Sequence, residues 1–370
     1  MRGFFILYDH HSFTHNSRLF WIGVYLNLLY YTFPPGFNDP AFPDNANNLD
    51  IVMKYRRISF YNKNSIGSGL LLIIIAGNAY SQSGYDSLSV FKKITDRSSK
   101  TTTIHYKSDT LVFNAPKLFS FVKNVPSDLL YIAKTPFKKK SLPWLAAVTA
   151  SSVAMIAYDQ KIINWIKETS HLLGITANTS YNVLIKVGDT KVLQLPKNGT
   201  TAFYQIGQGG TSMVLAGGMW VYGKISHDYR AITTASDLAN TFITMAITTQ
   251  VIKRITGRES PFESGSPGGR WRPFPSFGDY QKDTPKYDAF PSGHLATLMA
   301  TITVLSENYP EKKWILPIGY SLMGICMWTM ANIDVHWVSD YPLALAIGYL
   351  SGKITTMRHK KKIRTFPCVF

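Results

Sequence analysis

The sequence contains little cysteine and little charge. Cys326 and Cys368 are its two cysteines in 370 residues, so one bridge at most can form and a disulfide framework is excluded. Charged residues make up 16% of the chain, whereas hydrophobic residues make up 45% and aromatic residues 14%. A chain disordered throughout is excluded, because this much apolar surface can fill a core. The length suits one large domain or two small ones.

Acidic residues are scarce as well, with 22 Asp and Glu against 39 Lys and Arg, so the formal net charge is +17. The basic excess includes three short clusters, Arg56–Arg57, Lys138–Lys140 and Arg358–Lys362. Basic clusters beside apolar segments are typical of helix ends at an anionic membrane surface, and we expect a membrane as a partner. A nucleic-acid partner is not expected, because no module that combines basic and aromatic residues is visible.

The apolar run Gly69–Ala76 is too short to span a bilayer comfortably. The basic stretch Met53–Arg57 precedes it, and Ala79 and Ser81 follow as small residues at the −3 and −1 positions of a cut before residue 82. This order predicts a secretory signal peptide over 53–81, with 1–52 as a mis-assigned upstream extension. A genuine N-terminal anchor within 19–33 is the alternative. We expect export to the bacterial cell envelope, in the periplasm, peripheral to or integral in the membrane.

The chain after residue 81 divides into three parts by composition. Residues 82–141 are polar and basic, and we expect an irregular N-terminal segment with one amphipathic helix around Ser127–Lys134. Residues 142–356 contain most of the long apolar segments and form the predicted helical domain. Residues 357–370 are a basic tail.

Apolar segments within 142–356 are long enough for helices rather than strands. Asn182–Leu195 differs, because two β-rich runs flank Gly188-Asp189 and predict a small hairpin. The fold class is therefore mainly α, a bundle of about six helices with a small β-hairpin insertion. One buried helix face is predicted by three-and-four spacing of Leu295, Leu298, Met299, Ile302 and Leu305. The predicted helices are Leu142–Tyr158, Tyr204–Lys224, Ala231–Ile255, Ser292–Glu307, Lys313–Ala331 and Tyr341–Thr355.

Three stretches at helix ends carry residues suited to phosphate chemistry. They are Lys253–Pro261, Pro291-Ser292-Gly293-His294 and His336–Asp340. A helix that begins at Pro-Ser-Gly leaves backbone N–H groups free, and these groups and the helix dipole both favour a phosphate. Lys253 would add positive charge to stabilise a five-coordinate phosphorus.

The histidines in these stretches suit the two halves of a phosphoryl transfer. His294, next to the anion site, could donate a proton to a leaving group. His336 and Asp340 are four residues apart, so on a helix they would share one face. The carboxylate could then hold the imidazole in one tautomer and leave the other nitrogen free to attack. Each of these residues alone is more often solvated or caps a helix. Their combination in this order is a much more specific indication of phosphate chemistry.

The three stretches resemble the signature of the type 2 phosphatidic acid phosphatase and vanadium haloperoxidase superfamily. Lys253 and Pro261 match its first motif, residues 291–294 match its second in full, and His336 and Asp340 match its third. The resemblance covers roughly 140–356, which it identifies as a helical acid-phosphatase-like domain. It implies a metal-free and cofactor-free histidine phosphatase.

The resemblance also implies the role of each matching residue. His336 would be the nucleophile that forms a phosphohistidine, Asp340 would orient it, and His294 would protonate the leaving oxygen. Lys253 and the Ser292-Gly293 segment would hold the phosphate.

The sequence departs from the family pattern at two arginines that clamp the phosphate. Ser260 and Met330 stand where the first and third motifs have arginine. Loss of these guanidinium contacts would weaken stabilisation of the transition state. We expect Arg258 and one of Arg270 and Arg272 to rebuild the clamp, the alternative being that they cap helices or face solvent.

The function predicted is an exported phosphatase that hydrolyses a phosphate monoester, of a lipid or a small molecule. Pro273–Phe277, in the loop 262–290, suggests an apolar lip suited to lipid chains, although loop packing would explain the same residues. A non-catalytic phosphate- or lipid-binding descendant is the first alternative. A vanadate-dependent haloperoxidase is the second, and the missing arginines disfavour it.

Overall fold

The computed structural model describes residues 91–106, 109–117, 119–187, 190–359 and 361–364. The predicted upstream extension 1–52 and signal peptide 53–81 lie outside these residues, as do the turn at 188–189 and the end of the basic tail at 365–370.

The strands are β1 (Lys92–Asp96), β2 (Thr101–Tyr106), β3 (Asp109–Asn114), β4 (Tyr181–Val187), β5 (Thr190–Pro196) and β6 (Lys361–Arg364). Strands β1 to β3 lie in the segment expected to be irregular and belong to an antiparallel sheet with the strand order β1-β2-β3-β6. Ile104, Leu111 and Phe113 form the small apolar core of this sheet. The expectation for 82–141 was therefore wrong over residues 92–114, where threonine-rich strands replace loops because β-branched residues suit a pleated surface.

Strands β4 and β5 pair in antiparallel register from Tyr181 opposite Pro196 to Val187 opposite Thr190. This pair is the predicted hairpin. The last helix continues to His359, into the segment identified as a basic tail, and β6 then pairs with β3.

Helices make up most of the rest of the described chain, which confirms the mainly α fold class. Their bounds are α1 (Ser120–Lys123), α2 (Val125–Lys134), α3 (Leu142–Ile156), α4 (Asp159–Leu172), α5 (Gly199–Ile206), α6 (Gly209–Ile225), α7 (Tyr229–Thr256), α8 (Phe277–Lys282), α9 (Gly293–Asn308), α10 (Ile315–Asn332) and α11 (Tyr341–His359).

The sequence did not predict two interruptions among these helices. Helix α4 follows α3 after a sharp bend, and the predicted helix Tyr204–Lys224 is divided into α5 and α6. Gly207 lies in the second break, where a Cβ atom would approach the Cβ of His294 to 2.9 Å. The break therefore lets the chain pass close to the start of α9.

Helices α7, α9 and α11 form the centre of the bundle. The predicted buried face of α9 is confirmed for Leu295, Leu298, Met299 and Ile302. At Gly348 on α11 a Cβ atom would lie 2.3 Å from the carbonyl oxygen of Ala296, so the two helices touch through backbone atoms. This contact fixes the start of α9 relative to the turn before α11.

Within the described residues, no single helix has both the length and the apolar character that a membrane crossing requires. The bent pair α3 and α4 passes the same length and composition test when taken together, with a bend of 70°.

Candidate active site

A pocket of about 400 Å³ lies where α7, α9 and the segment before α11 meet. Residues from all three predicted motifs line it, namely Lys253, Ser260, Gly293, His294 and His336. The structure thus brings the three helix ends together, as their order in the sequence predicted.

Helix α7 carries Lys253 to the pocket near its C-terminal end. Gly257 ends the helix at φ +55° with a hydrogen bond from its N–H to the carbonyl of Lys253. A Cβ atom at Gly257 would lie 1.8 Å from the carbonyl oxygen of Arg272, so glycine is required for both the turn and the close approach. Lys253 is buried, and its Nζ lies 2.9 Å from Oδ1 of Asp288.

Helix α9 begins at the pocket with Ser292 as its N-cap. The Ser292 hydroxyl accepts a hydrogen bond from the N–H of Leu295 and lies 3.7 Å from the sulfur of Met330. Ser292 is fully buried and is not among the described residues that line the pocket. Its side chain therefore caps the helix, while Gly293 and His294 face the pocket and the Nζ of Lys253 lies 3.8 Å from the place of a Gly293 Cβ.

His294 is stacked on Tyr204, with ring centroids 4.4 Å apart. Its Nε2 is buried and has no hydrogen-bond partner among the described residues. Burial lowers the pKa of His294 to about 3, and the nearby His336 and Lys253 add to this effect. The free protein therefore holds His294 as a neutral imidazole at pH 7.

His336 lies in the same pocket, with its ring centroid 5.9 Å from that of His294. Its Nδ1 is 2.8 Å from the carbonyl oxygen of Ala289. A carbonyl can only accept, so Nδ1 is the protonated nitrogen and Nε2 of the neutral ring keeps its lone pair. Asp340 is farther away, with Oδ2 at 3.5 Å from Nδ1. The Ala289 carbonyl therefore orients the ring more directly than Asp340 does.

The prediction that His336 and Asp340 share one face of a helix was wrong. His336 precedes a 3-10 turn, Val338–Asp340, that leads into α11. The Asp340 carboxylate accepts a hydrogen bond from the N–H of Trp337 at 2.9 Å and pairs with Arg258. Asp340 thus fixes the turn that carries His336.

Arg258 does not rebuild the phosphate clamp, so that expectation was wrong. The side chain is fully buried behind the pocket, and all five of its N–H groups are engaged by Asp159, Ser339, Asp340 and the carbonyl of Gly268. A buried guanidinium of this kind is stable only when fully paired, so it cannot turn toward a phosphate without a large cost.

Arg270 and Arg272 also lie away from the described pocket lining. The guanidinium of Arg272 contacts Oε1 of Glu259 at 3.3 Å and the carbonyl of Lys286. The backbone N–H of Arg270 donates to Oε2 of Glu259, and its carbonyl accepts from the backbone N–H of Glu259. Neither arginine therefore takes the place of the missing clamp.

The two positions where the family pattern has arginine remain without positive charge. Ser260 lines the pocket, and Met330 is fully buried against Ser292. Among the described residues that line the pocket, Lys253 is the one whose positive charge is permanent. A phosphate bound there would rely on Lys253 and on the backbone N–H groups that begin α9.

Two acidic residues of the site were not predicted from the sequence. Asp288 lines the pocket, pairs with Lys253 and accepts a hydrogen bond from the Tyr280 hydroxyl at 2.6 Å. Burial, together with Asp288, raises the pKa of Tyr280, so the phenol keeps its proton as a donor. Asp159 lies behind the pocket at the start of α4. The position of Asp288 just before the Pro-Ser-Gly-His run was a usable signal, whereas nothing near Asp159 marked it.

Within the described part of the chain, no group of three or more His, Cys, Asp or Glu side chains is arranged to hold a metal ion. The side chains that line the pocket include two imidazoles, one ammonium group and one carboxylate, beside the N-terminus of α9.

Comparison with known proteins agrees with this geometry. Residues 234–364 match the model of the PAP2 superfamily. Lipid A 1-phosphatase of Porphyromonas gingivalis is 30% identical over 80 residues, which is 21% of this chain and 18% of that enzyme. The match therefore spans less than a fifth of the relative's length, and no solved structure matches the chain. The resemblance to the PAP2 superfamily that the sequence motifs indicated is thus confirmed over residues 234–364, the region that contains all three motifs.

Proposed function

We propose that this protein is an exported phosphatase that hydrolyses a phosphate monoester through a phosphohistidine on His336. The observation that carries the proposal is the orientation of His336, whose Nδ1 donates to the Ala289 carbonyl and leaves Nε2 available in a pocket beside Lys253 and His294. Nucleophile, acid and cation are the groups that phosphoryl transfer to histidine requires.

In the proposed reaction, Nε2 of His336 attacks phosphorus and the bond from phosphorus to the ester oxygen breaks. His294 donates a proton to the leaving oxygen, then takes a proton from the water that attacks the phosphohistidine and releases inorganic phosphate. Lys253 and the first N–H groups of α9 would stabilise the charge on the phosphoryl oxygens. The free His294 is neutral because of burial and nearby charges, and the negative charge of a bound phosphate would oppose these effects and favour its protonated form.

A lipid phosphate is the substrate class that we favour. Apolar side chains line part of the pocket, including Phe242, Met245 and Phe262. Phe274, in the segment that follows Phe262, and Phe277, the first residue of α8, are 75% and 74% exposed. Exposed aromatic side chains suit contact with acyl chains at a membrane surface. The partial likeness to a lipid A phosphatase supports the same substrate class.

The test is release of inorganic phosphate by the full chain from a phosphatidate in mixed micelles and from a soluble phosphomonoester. We expect His336→Ala to abolish release, whereas His171→Ala, an exposed histidine at the end of α4, should retain wild-type turnover. Replacing Phe274 and Phe277 by serine should reduce turnover of the lipid and leave the soluble ester unaffected.

Absence of release from both substrates would overturn the proposal and favour a non-catalytic protein that binds phosphate or lipid. Oxidation of bromide by the vanadate-loaded protein would instead identify a haloperoxidase. We disfavour that activity because no arginine is among the described residues that line the pocket.

A further inference from the structure

A buried carboxylate lies beneath the turn that carries His336. Asp159, in the first turn of α4, is fully buried and precedes the first residue of the matched region 234–364 by 75 residues of sequence. Its Oδ1 accepts a hydrogen bond from the N–H of Ser339 at 2.9 Å, and its Oδ2 accepts from the Ser339 hydroxyl and from Arg258 at 2.7 Å. Asp159 therefore contacts both the turn and the arginine that braces it.

Arg258 joins this carboxylate to Asp340. Its guanidinium lies between two indole rings, with the Cζ atom 4.8 Å from the ring of Trp271 and 5.3 Å from that of Trp337. Because all five donors are used, the guanidinium has one orientation available, and that orientation bridges Asp159 to Asp340.

The network ends at the nucleophile. The other oxygen of Asp340 accepts from the N–H of Trp337 and lies 3.5 Å from Nδ1 of His336. Two carboxylates and one guanidinium leave the cluster with one net negative charge, which favours the imidazole as it gains positive character during attack on phosphorus. Burial raises the pKa of Asp159, while Arg258 and the Ser339 donors oppose that rise.

The titratable groups that face His336 come from several elements. His294 lies on α9, Lys253 lies on α7, and Asp288 lies in the loop before α9. None of these groups contacts Asp159 through a described hydrogen bond or ion pair, so the effect of Asp159 on His336 passes through Ser339, Arg258 and Asp340.

We propose that Asp159 is a positioning residue for His336, so that helix α4, outside the matched region, completes the active site. The proposal rests on the proposed role of His336 as the nucleophile. It predicts that loss of the Asp159 charge loosens the turn Val338–Asp340 and misplaces the attacking nitrogen, while the phosphate-binding groups on α7 and α9 stay in place.

The experiment compares the full chain with Asp159→Asn, which keeps the shape of the side chain, and with Glu168→Gln, which removes a carboxylate from the exposed face of the same helix. We expect Asp159→Asn to lower kcat by about 10- to 100-fold, with KM within about twofold of wild type. Asp159→Glu should restore part of the lost kcat, and Glu168→Gln should behave as wild type.

A double-mutant cycle with Ser339→Ala tests the connection between Asp159 and the turn. Because both side chains belong to one hydrogen-bond network, the two substitutions should be less than additive in kcat. Additive losses would mean that Asp159 acts independently of the turn and would overturn the proposal.

A second readout does not depend on catalysis. The Nδ1–H proton of His336 should give a slowly exchanging downfield NMR signal, identified by its absence in His336→Ala. We expect this signal to broaden or disappear in Asp159→Asn and to persist in Glu168→Gln. The positioning role is wrong if Asp159→Asn retains both the signal and wild-type kcat. It is also wrong if the substitution changes the stability and the KM but leaves kcat unchanged. If wild type releases no phosphate, the proposed function fails, and the NMR comparison still decides whether Asp159 positions His336.

Discussion

Asp288 pairs with Lys253, the one lysine or arginine among the described residues that line the pocket. Removal of the negative charge of Asp288 should therefore strengthen phosphate binding. Its Oδ1 lies 2.9 Å from Nζ of Lys253, and a phosphate that binds Lys253 must displace this carboxylate or lie beside it. Asp288→Asn keeps an acceptor for the Tyr280 hydroxyl, which donates to Asp288 at 2.6 Å. The substitution therefore removes one negative charge with little change in packing.

The magnitude follows from the charge separation. One negative charge about 5 Å from a phosphate costs about 0.8 kcal/mol at an effective dielectric of about 80 and about 3.3 kcal/mol at about 20. The Asp288 side chain is 29% exposed, which favours the lower half of this range. About 1.4 kcal/mol corresponds to about tenfold in affinity.

Calorimetric titration with inorganic phosphate measures this effect directly. We expect Asp288→Asn to lower the Kd for phosphate about tenfold. Asp283→Asn is the matched control, since it removes a carboxylate that pairs with Lys286 in the same loop and lies outside the described pocket lining. An unchanged or higher Kd in Asp288→Asn would refute the competition between Asp288 and phosphate for Lys253.

Two further predictions concern stability. Gly348→Ala should lower the free energy of unfolding by about 1–3 kcal/mol, because the added methyl would lie 2.3 Å from the Ala296 carbonyl oxygen. Gly217→Ala in α6 is the control, because a Cβ atom there meets nothing within 4 Å, and it should raise the free energy of unfolding by roughly 0.5–1 kcal/mol. Equal denaturation midpoints for the two variants would contradict the contact between α9 and α11. The pKa of His294 is lowered from 6.5 to about 3, so between these values the unfolded chain binds a proton that the folded chain does not. The free energy of unfolding should therefore fall as the pH drops through this window, and His294→Gln should reduce that fall. Urea titrations that show the same pH dependence for wild type and His294→Gln would contradict this prediction.

Much of the helical fold was predictable from local pattern. The apolar spacing along α9 and the β-rich runs of β4 and β5 gave elements that the structure confirms. The division of the predicted helix Tyr204–Lys224 was not predictable, because apolar residues continue on both sides of Gly207 and the break depends on contact with His294. Strands β1 to β3 were missed because their polar, threonine-rich sequences resemble a loop.

The candidate site was predictable where its residues lie in short motifs. Lys253, His294 and His336 share the pocket as their motif order indicated. The position of Arg258 was not predictable, since a guanidinium near a phosphate motif suggests a clamp. Its buried position is stable because the distant residues Asp159 and Asp340 both pair with it. Long-range pairing of this kind leaves no spacing signal in the sequence.

The central claim is that Nε2 of His336 accepts the phosphoryl group, and the most direct measurement is trapping of that intermediate. The full chain, mixed with a phosphatidate and quenched rapidly in alkali, would be digested and analysed by mass spectrometry. The account predicts a phosphate on the peptide that contains His336, in wild type and not in His336→Ala. Turnover without phosphate on that peptide, or with phosphate on His294 instead, would contradict it.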